Sequence, residues 1–159
     1  MRISLNYRRE DFDRVMEISD ACYSGEYRPP REKMADMISV ADVFVARITL
    51  PGWAPRPPMT GGLSDEDTII GFAIVQNVTH PYIWNIAVDP DFQGRGVGGN
   101  ILREIIRKYT LSKDKEISLH VDAVNPAQKL YFDHGFLVRS VEQDYFKPND
   151  GLLMVRRLP

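Results

Sequence analysis

The 159-residue chain is 43% hydrophobic and 26% charged with a formal net charge of −2, enough apolar material for one domain with a real core. No apolar run is long enough to span a bilayer, and the near-neutral charge excludes a broad nucleic-acid surface, so a polyanion must be met locally. The single cysteine, Cys22, excludes an internal disulfide; with an N-terminus lacking a long apolar leader core, it suits a cytoplasmic protein.

Residues 3–7 alternate weakly and predict a first strand. Asp11 is placed as an N-cap. Phe12, Val15, Met16, Ser19 and Cys22 follow at helical spacing, which puts Cys22 on a buried face. The loop at 23–30 breaks that helix, and Pro29-Pro30 introduces a short second one carrying Met34, Met37 and Ile38. Residues 43–48 and 68–75 predict two further strands. Between them, residues 50–67 hold four prolines and three glycines. That segment is too short for a domain and reads as an extended hairpin insertion, a lid or a partner contact. Residues 82–88 predict the next strand, and Ile101, Leu102, Ile105, Ile106 and Tyr109 stripe a helix.

Residues 116–124 set Ile117, Leu119, Val121 and Ala123 against Ser118, His120 and Asp122, a strand with two unlike faces. Beyond it, Pro126 suits the first position of a helix, Ala127, Leu130 and Tyr131 form its face, and Gly135 suits the position just past its end. Strands at 137–144 and 152–156 close the chain, with Asn149-Asp-Gly151 as the turn between them. The order β-α-α-β-β-β-α-β-α-β-β predicts a single α/β domain over residues 1–159. Its mixed central sheet has about seven strands flanked by helices.

The strongest chemical signal lies between Asn85 and Leu102, where a strand runs into Gln93-Gly94-Arg95-Gly96-Val97-Gly98-Gly99 and the turn opens a helix. Bare N–H groups at a helix start form an anion site, and glycines let a phosphate come close. Three ligands compete. A Walker A loop needs Lys-Ser or Lys-Thr after the glycines, and none follows. The dinucleotide fingerprint G-x-G-x-x-G matches Gly94 to Gly99, but about 60 residues remain, too few for a doubly wound sheet. Coenzyme A is the third.

Residues 97–102 carry no acid, Arg95 lies inside the turn, and four basic residues face the single acid Glu104 between 93 and 109, a local +3. Asp89 and Asp91 precede the turn and must point away from it. The plain alternative is a glycine turn that only packs helix on strand.

The run Val88-Asp-Pro-Asp-Phe-Gln-Gly-Arg-Gly-Val-Gly98 resembles motif A of the GNAT N-acetyltransferases. Asn125-Pro-Ala-Gln-Lys-Leu-Tyr-Phe-Asp-His-Gly-Phe136 resembles their motif B, with alanine one position early at Ala127. Residues 85–93, Leu119-His-Val121 and Asp144-Tyr-Phe-Lys-Pro148 are similar to the N-terminal protein acetyltransferases of that superfamily.

The resemblance implies acetyl-CoA as cosubstrate, held by Ile86, Ala87 and Val88, by the turn residues Gln93, Gly94, Arg95, Gly96, Val97, Gly98 and Gly99, and by Asn125 and Tyr131. A bulge at 86–88 would splay that strand from its neighbour and bare an N–H for the thioester oxygen. Tyr131 takes the place of the general acid. A phenol and a thiol differ modestly in acidity, and positioned proton transfer contributes about 10²–10⁴-fold. His120 and Tyr82 fall where some members of the family relay a proton from the amine. Their plainer reading is a half-buried histidine and an interface tyrosine.

Glu26, Tyr27 and Tyr145 are placed as substrate contacts by family position. An α-amine near pKa 8 is partly neutral at pH 7, whereas freeing a lysine amine costs about 4.6 kcal/mol. A weak base therefore favours a protein or peptide N-terminus as acceptor. The alternatives are a small amine (polyamine, amino acid or antibiotic) or a sensor that binds acyl-CoA without chemistry. Three scattered histidines and one cysteine give no metal-ligand spacing. Neither nucleic acid nor membrane is expected as a partner, and the chain is expected as a monomer or homodimer.

Overall fold

The computed structural model describes residues 2–4, 6–49 and 68–159. The proline- and glycine-rich insertion at 50–67 lies outside the described residues. Among the described residues, seven strands form one sheet: β1 (Arg2–Ser4), β2 (Asp42–Ile48), β3 (Thr68–Asn77), β4 (Pro81–Val88), β5 (Glu116–Asp122), β6 (Leu137–Phe146) and β7 (Asn149–Arg157). Their spatial order is β1-β2-β3-β4-β5-β7-β6. Among the described strands only β4 and β5 pair in parallel, so the sheet is mixed.

Helices cover both faces. On one side lie α1 (Phe12–Cys22) and α2 (Arg31–Ser39), and on the other α3 (Val97–Leu111) and α4 (Gln128–Asp133). Along β2, Val43 and Val45 pack toward α1 and α2 while Phe44 and Ala46 pack toward α3. Burial on both faces is why β2 and β3 read as near-continuous apolar runs rather than alternating ones. Among the described residues no helix is long and apolar enough to cross a membrane.

Two details set up the cleft. Ile74 pairs with Asn85 but Val75 pairs with Ile83, so Trp84 is an extra residue that bulges from β4. The bulge thus falls at Trp84, upstream of the expected 86–88. Parallel pairing with β5 covers only Tyr82↔Ser118 and Ile83↔Leu119 and stops at that bulge. Beyond it the two strands diverge, and a cavity of about 420 Å³ opens between them.

Several local expectations are corrected. Asp11 starts α1 but does not cap it; its carboxylate turns back to the Arg8 amide (2.6 Å) and to buried Arg47 (2.5 Å). β5 ends at Asp122, whose Oδ1 accepts the Val124 amide and turns the chain two residues early. Pro126 precedes α4 instead of opening it. Asn149-Asp-Gly151 lies within β7, and the hairpin turns at Lys147 and Pro148, across a cis peptide bond. The register shift between Glu142 and Phe146 accounts for that displacement. It loops out residues 143–145, with Asp144 at φ 54° and its amide bound to Asp150 Oδ1.

Candidate active site

The glycine turn ends in left-handed backbone. Gly94 has φ 71° and Gly96, the N-cap of α3, has φ 77°, a conformation that side-chain-bearing residues rarely adopt. No atom lies within 4 Å of a Cβ built at either glycine, so the turn opens to solvent above the α3 N-terminus. The first turn of α3 contains no acid. Of the two acids before the turn, Asp89 points away as required: it is ion-paired with buried Arg14 of α1 and accepts the Asp91 amide. Arg95 stands over the Phe92 ring, 5.5 Å from its centroid. The result is a cluster of free N–H groups with positive character, a fit for a diphosphate.

Motif B lies against this turn. A Cβ on Gly98 would sit 3.2 Å from Leu130, and one on Gly99 would sit 3.2 Å from His134, so small residues let α4 approach α3 closely. Asn125 caps the unit, its Oδ1 accepting the Ala127 amide at 2.8 Å. At the other end the Gly135 amide bonds the Phe132 carbonyl and the Phe136 amide bonds the Tyr131 carbonyl, the paired bonds of a Schellman ending. Gly135, at φ 79°, takes the expected position.

This clamp fixes Tyr131, which is 7% exposed, lines the cleft and meets Phe136 edge-on at 6.0 Å. Burial alone pushes its phenol up to about 12. It therefore stays protonated at neutral pH in the wall of the cavity.

The diverging edge of β4 is lined from α1 and the turn. Tyr23 donates to the Ile86 carbonyl at 2.9 Å, while the Cys22 thiol (3.2 Å) and Gln93 Nε2 (2.9 Å) donate to the Val88 carbonyl. Cys22 is half-buried here, and desolvation raises its thiol. Burial likewise holds the Tyr23 phenol well above its ordinary value. Neither is a nucleophile at neutral pH.

Across the cleft, Tyr82 and His120 meet. The Tyr82 hydroxyl lies 2.9 Å from His120 Nδ1, and Glu142 of β6 lies 3.0 Å from His120 Nε2. Tyr145 stacks on the imidazole, with centroids 4.3 Å apart and planes 7° from parallel. Desolvation, then neighbouring Tyr145, raises the Tyr82 phenol far above its usual range.

Tyr145 reaches this position because it is looped out of β6 and lies across Gly151. A Cβ there would sit 2.7 Å from the Tyr145 Cβ and 2.9 Å from its ring. Tyr27 closes the same end, its hydroxyl on the Lys147 carbonyl at 2.7 Å and its ring 5.5 Å from Phe146. Glu26 lines the cavity beside it.

The structure therefore gathers Glu26, Tyr27, Tyr82, Ile86, His120, Asn125, Tyr131 and Tyr145 around one cavity, whereas Ala87, Val88 and the glycine turn at 93–99 are not among its lining residues. Two neighbours, Glu142 and Tyr23, and one contact were not singled out from the sequence. Glu142 and the Tyr145–His120 stack depend on strand register, which no local pattern encodes, and Tyr23 reads as an ordinary loop tyrosine.

The model of the acetyltransferase (GNAT) domain family matches residues 62–138, which include the turn, β4, β5 and α4. The likeness to the GNAT acetyltransferase domain therefore covers 77 of the 159 residues. It is 35% identical over 91 residues to the [ribosomal protein bS18]-alanine N-acetyltransferase of Salmonella typhimurium, covering 56% of this chain and 62% of that relative. The same enzyme of Haemophilus ducreyi is 33% identical over 90 residues, covering 55% of this chain and again 62% of the relative. The match thus spans 62% of the length of these curated relatives. The crystal structure of the ribosomal-protein-S18-alanine N-acetyltransferase from Escherichia coli superposes with TM-score 0.76 at 21% identity, over 99% of this chain and 93% of that one. The GNAT fold expected from the two motifs is present throughout the described residues.

Proposed function

We propose that this protein transfers an acetyl group from acetyl-CoA to the α-amine of a protein or peptide N-terminus. The observation that carries the reading is the Tyr82–His120 pair lining the same cavity as Tyr131, with the open glycine turn of α3 packed against α4 beside it. The similarity to enzymes named for N-terminal alanine acetylation of a ribosomal protein supports the acceptor class.

The residues present suit the coenzyme. Gly94, Gly96 and the α3 amides would hold its diphosphate, with Arg95 adding charge. Residues 86–88 of β4, free of a β5 partner, would line its pantetheine arm. When bound, the coenzyme supplies the activated acetyl thioester. Tyr131 then donates a hydrogen bond to the sulfur as it departs. Tyr82 and His120 draw the proton from the attacking amine, while Glu26, Tyr27 and Tyr145 shape the acceptor mouth. An imidazole base suits an amine of pKa about 8 far better than a lysine near 10.4.

The test is thiol release from acetyl-CoA with N-terminal peptides, lysine peptides, polyamines and aminoglycosides as acceptors. Turnover of N-terminal peptides is expected. Inert N-terminal peptides beside an active small amine would overturn the assignment.

A further inference from the structure

We infer that Glu142 is a positioning residue that fixes the tautomer and charge of His120 and so makes the imidazole a base; the inference rests on the function proposed above. His120 has two ring nitrogens and both are engaged, Nδ1 by the Tyr82 hydroxyl at 2.9 Å and Nε2 by Glu142 at 3.0 Å. An ionised carboxylate only accepts hydrogen bonds, so Nε2 carries the proton. A neutral imidazole then has its lone pair on Nδ1, and the Tyr82 O–H must donate to it. The chain of donors runs one way, from Tyr82 to His120 to Glu142.

That direction matches the chemistry. As the N–C bond forms and the C–S bond breaks, the amine proton passes to the Tyr82 oxygen and the Tyr82 proton passes to Nδ1. The departing sulfur takes its proton from Tyr131, and solvent returns one to Tyr131 when the imidazolium releases its own. Tyr82 ends as it began, which suits a phenol whose burial keeps it from ionising. The imidazolium formed meanwhile sits beside the Glu142 carboxylate, which stabilises it.

The surrounding groups leave this role to Glu142. Facing the ring are Tyr82 of β4, and Glu142 and Tyr145 of β6; across the cleft, the α1–α2 loop brings Glu26. β7 places uncharged Leu153 opposite His120. On β5 itself, Asp122 is occupied by the Asn149 amide group and the Val124 N–H. Glu142 is on the outermost strand and its side chain is 40% exposed, so replacing it spares the core.

The experiment compares wild type with Glu142→Gln, which preserves shape and removes the charge. Expected are a roughly tenfold lower kcat and an unchanged KM for acetyl-CoA, because the relay loses the group that orients its imidazole. In a His120→Gln background the same substitution is expected to change kcat less than twofold. Imidazole ¹⁵N shifts of the unliganded protein supply a readout independent of turnover: a single Nε2–H tautomer in wild type and a mixture in Glu142→Gln.

An unchanged kcat, a full effect in the His120→Gln background, or a wild-type Nδ1–H tautomer each overturns the inference. Failure of wild type to acetylate N-terminal peptides would overturn the functional reading instead, and the ¹⁵N measurement would still decide the tautomer.

Discussion

Replacing Tyr131 by Phe removes one oxygen whose acidity is set by burial alone, so the fold has little to lose and the proposed chemistry has much. With the phenol at about 12 and a thiol near 8.5, complete proton transfer to the thiolate is uphill by about 3.5 pKa units, or about 4.8 kcal/mol. Tyr131 is therefore expected to act first as a buried hydrogen-bond donor to the developing thiolate and only then as an acid. A hydrogen bond to a charged group is worth about 1.5–3 kcal/mol, which converts to about 10- to 150-fold in rate. The expected fall in kcat is of that size, at the lower end of the about 10²–10⁴-fold ascribed to positioned proton transfer. The thiolate exists only once reaction has begun, so the dissociation constant for acetyl-CoA should stay within about twofold. The assay is thiol release at saturating acetyl-CoA and N-terminal peptide, with calorimetric titration of the coenzyme and a thermal melt. A variant that melts like wild type and turns over within twofold of it would refute the assignment.

Gly151→Ala is expected to push Tyr145 off the His120 ring, because the new Cβ would lie 2.7 Å from the Tyr145 Cβ and cannot be relieved by a rotamer change. Peptide kcat/KM should fall about tenfold, as for loss of one positioned group, with acetyl-CoA affinity retained; unchanged kinetics would contradict the stacking role. Arg47→Met strands the Asp11 carboxylate, whose side chain is 1% exposed. The expected loss is about 3–5 kcal/mol in denaturant unfolding, and a loss under about 1 kcal/mol would show that the pair is not paired in solution. Tyr131, with its folded value raised to about 12, contributes full stability below the unfolded value near 10. Between those pH values the unfolded state holds fewer protons, so stability falls as pH rises, by about 3 kcal/mol from this residue. Denaturant midpoints of Tyr131→Phe should decline less steeply over that window than those of wild type, and parallel curves would count against the burial effect.

The sequence revealed the order of elements because each carries its own periodicity: the 3.6-residue stripe from Ile101 to Tyr109, the alternation at 116–122, and the doubly buried runs of β2 and β3. The turn and Tyr131 were legible for a related reason. Glycine at positive φ and a Schellman glycine are local demands written in adjacent residues. The buried ion pairs were not. Asp11–Arg47 and Arg14–Asp89 join residues 36 and 75 positions apart, and nothing local distinguishes a charge that will be buried from one that will be solvated.

The β6–β7 hairpin shows why the rest of the site stayed hidden. In a strand, a one-residue change of register moves every side chain to the other face. Asn149-Asp-Gly151 signals a turn, and a hairpin built on it would give β6 a different register from the one observed. In the structure the strand instead loops out residues 143–145 and turns two residues earlier, at Lys147 and Pro148. That irregularity leaves Glu142 beside His120 Nε2 and throws Tyr145 over the imidazole. Glycine at 151, a turn residue by local rule, is needed for the space it leaves under Tyr145. The proposed catalytic arrangement thus depends on a departure from regular pairing, and a pattern read one strand at a time recovers only the half of the site that regular pairing builds.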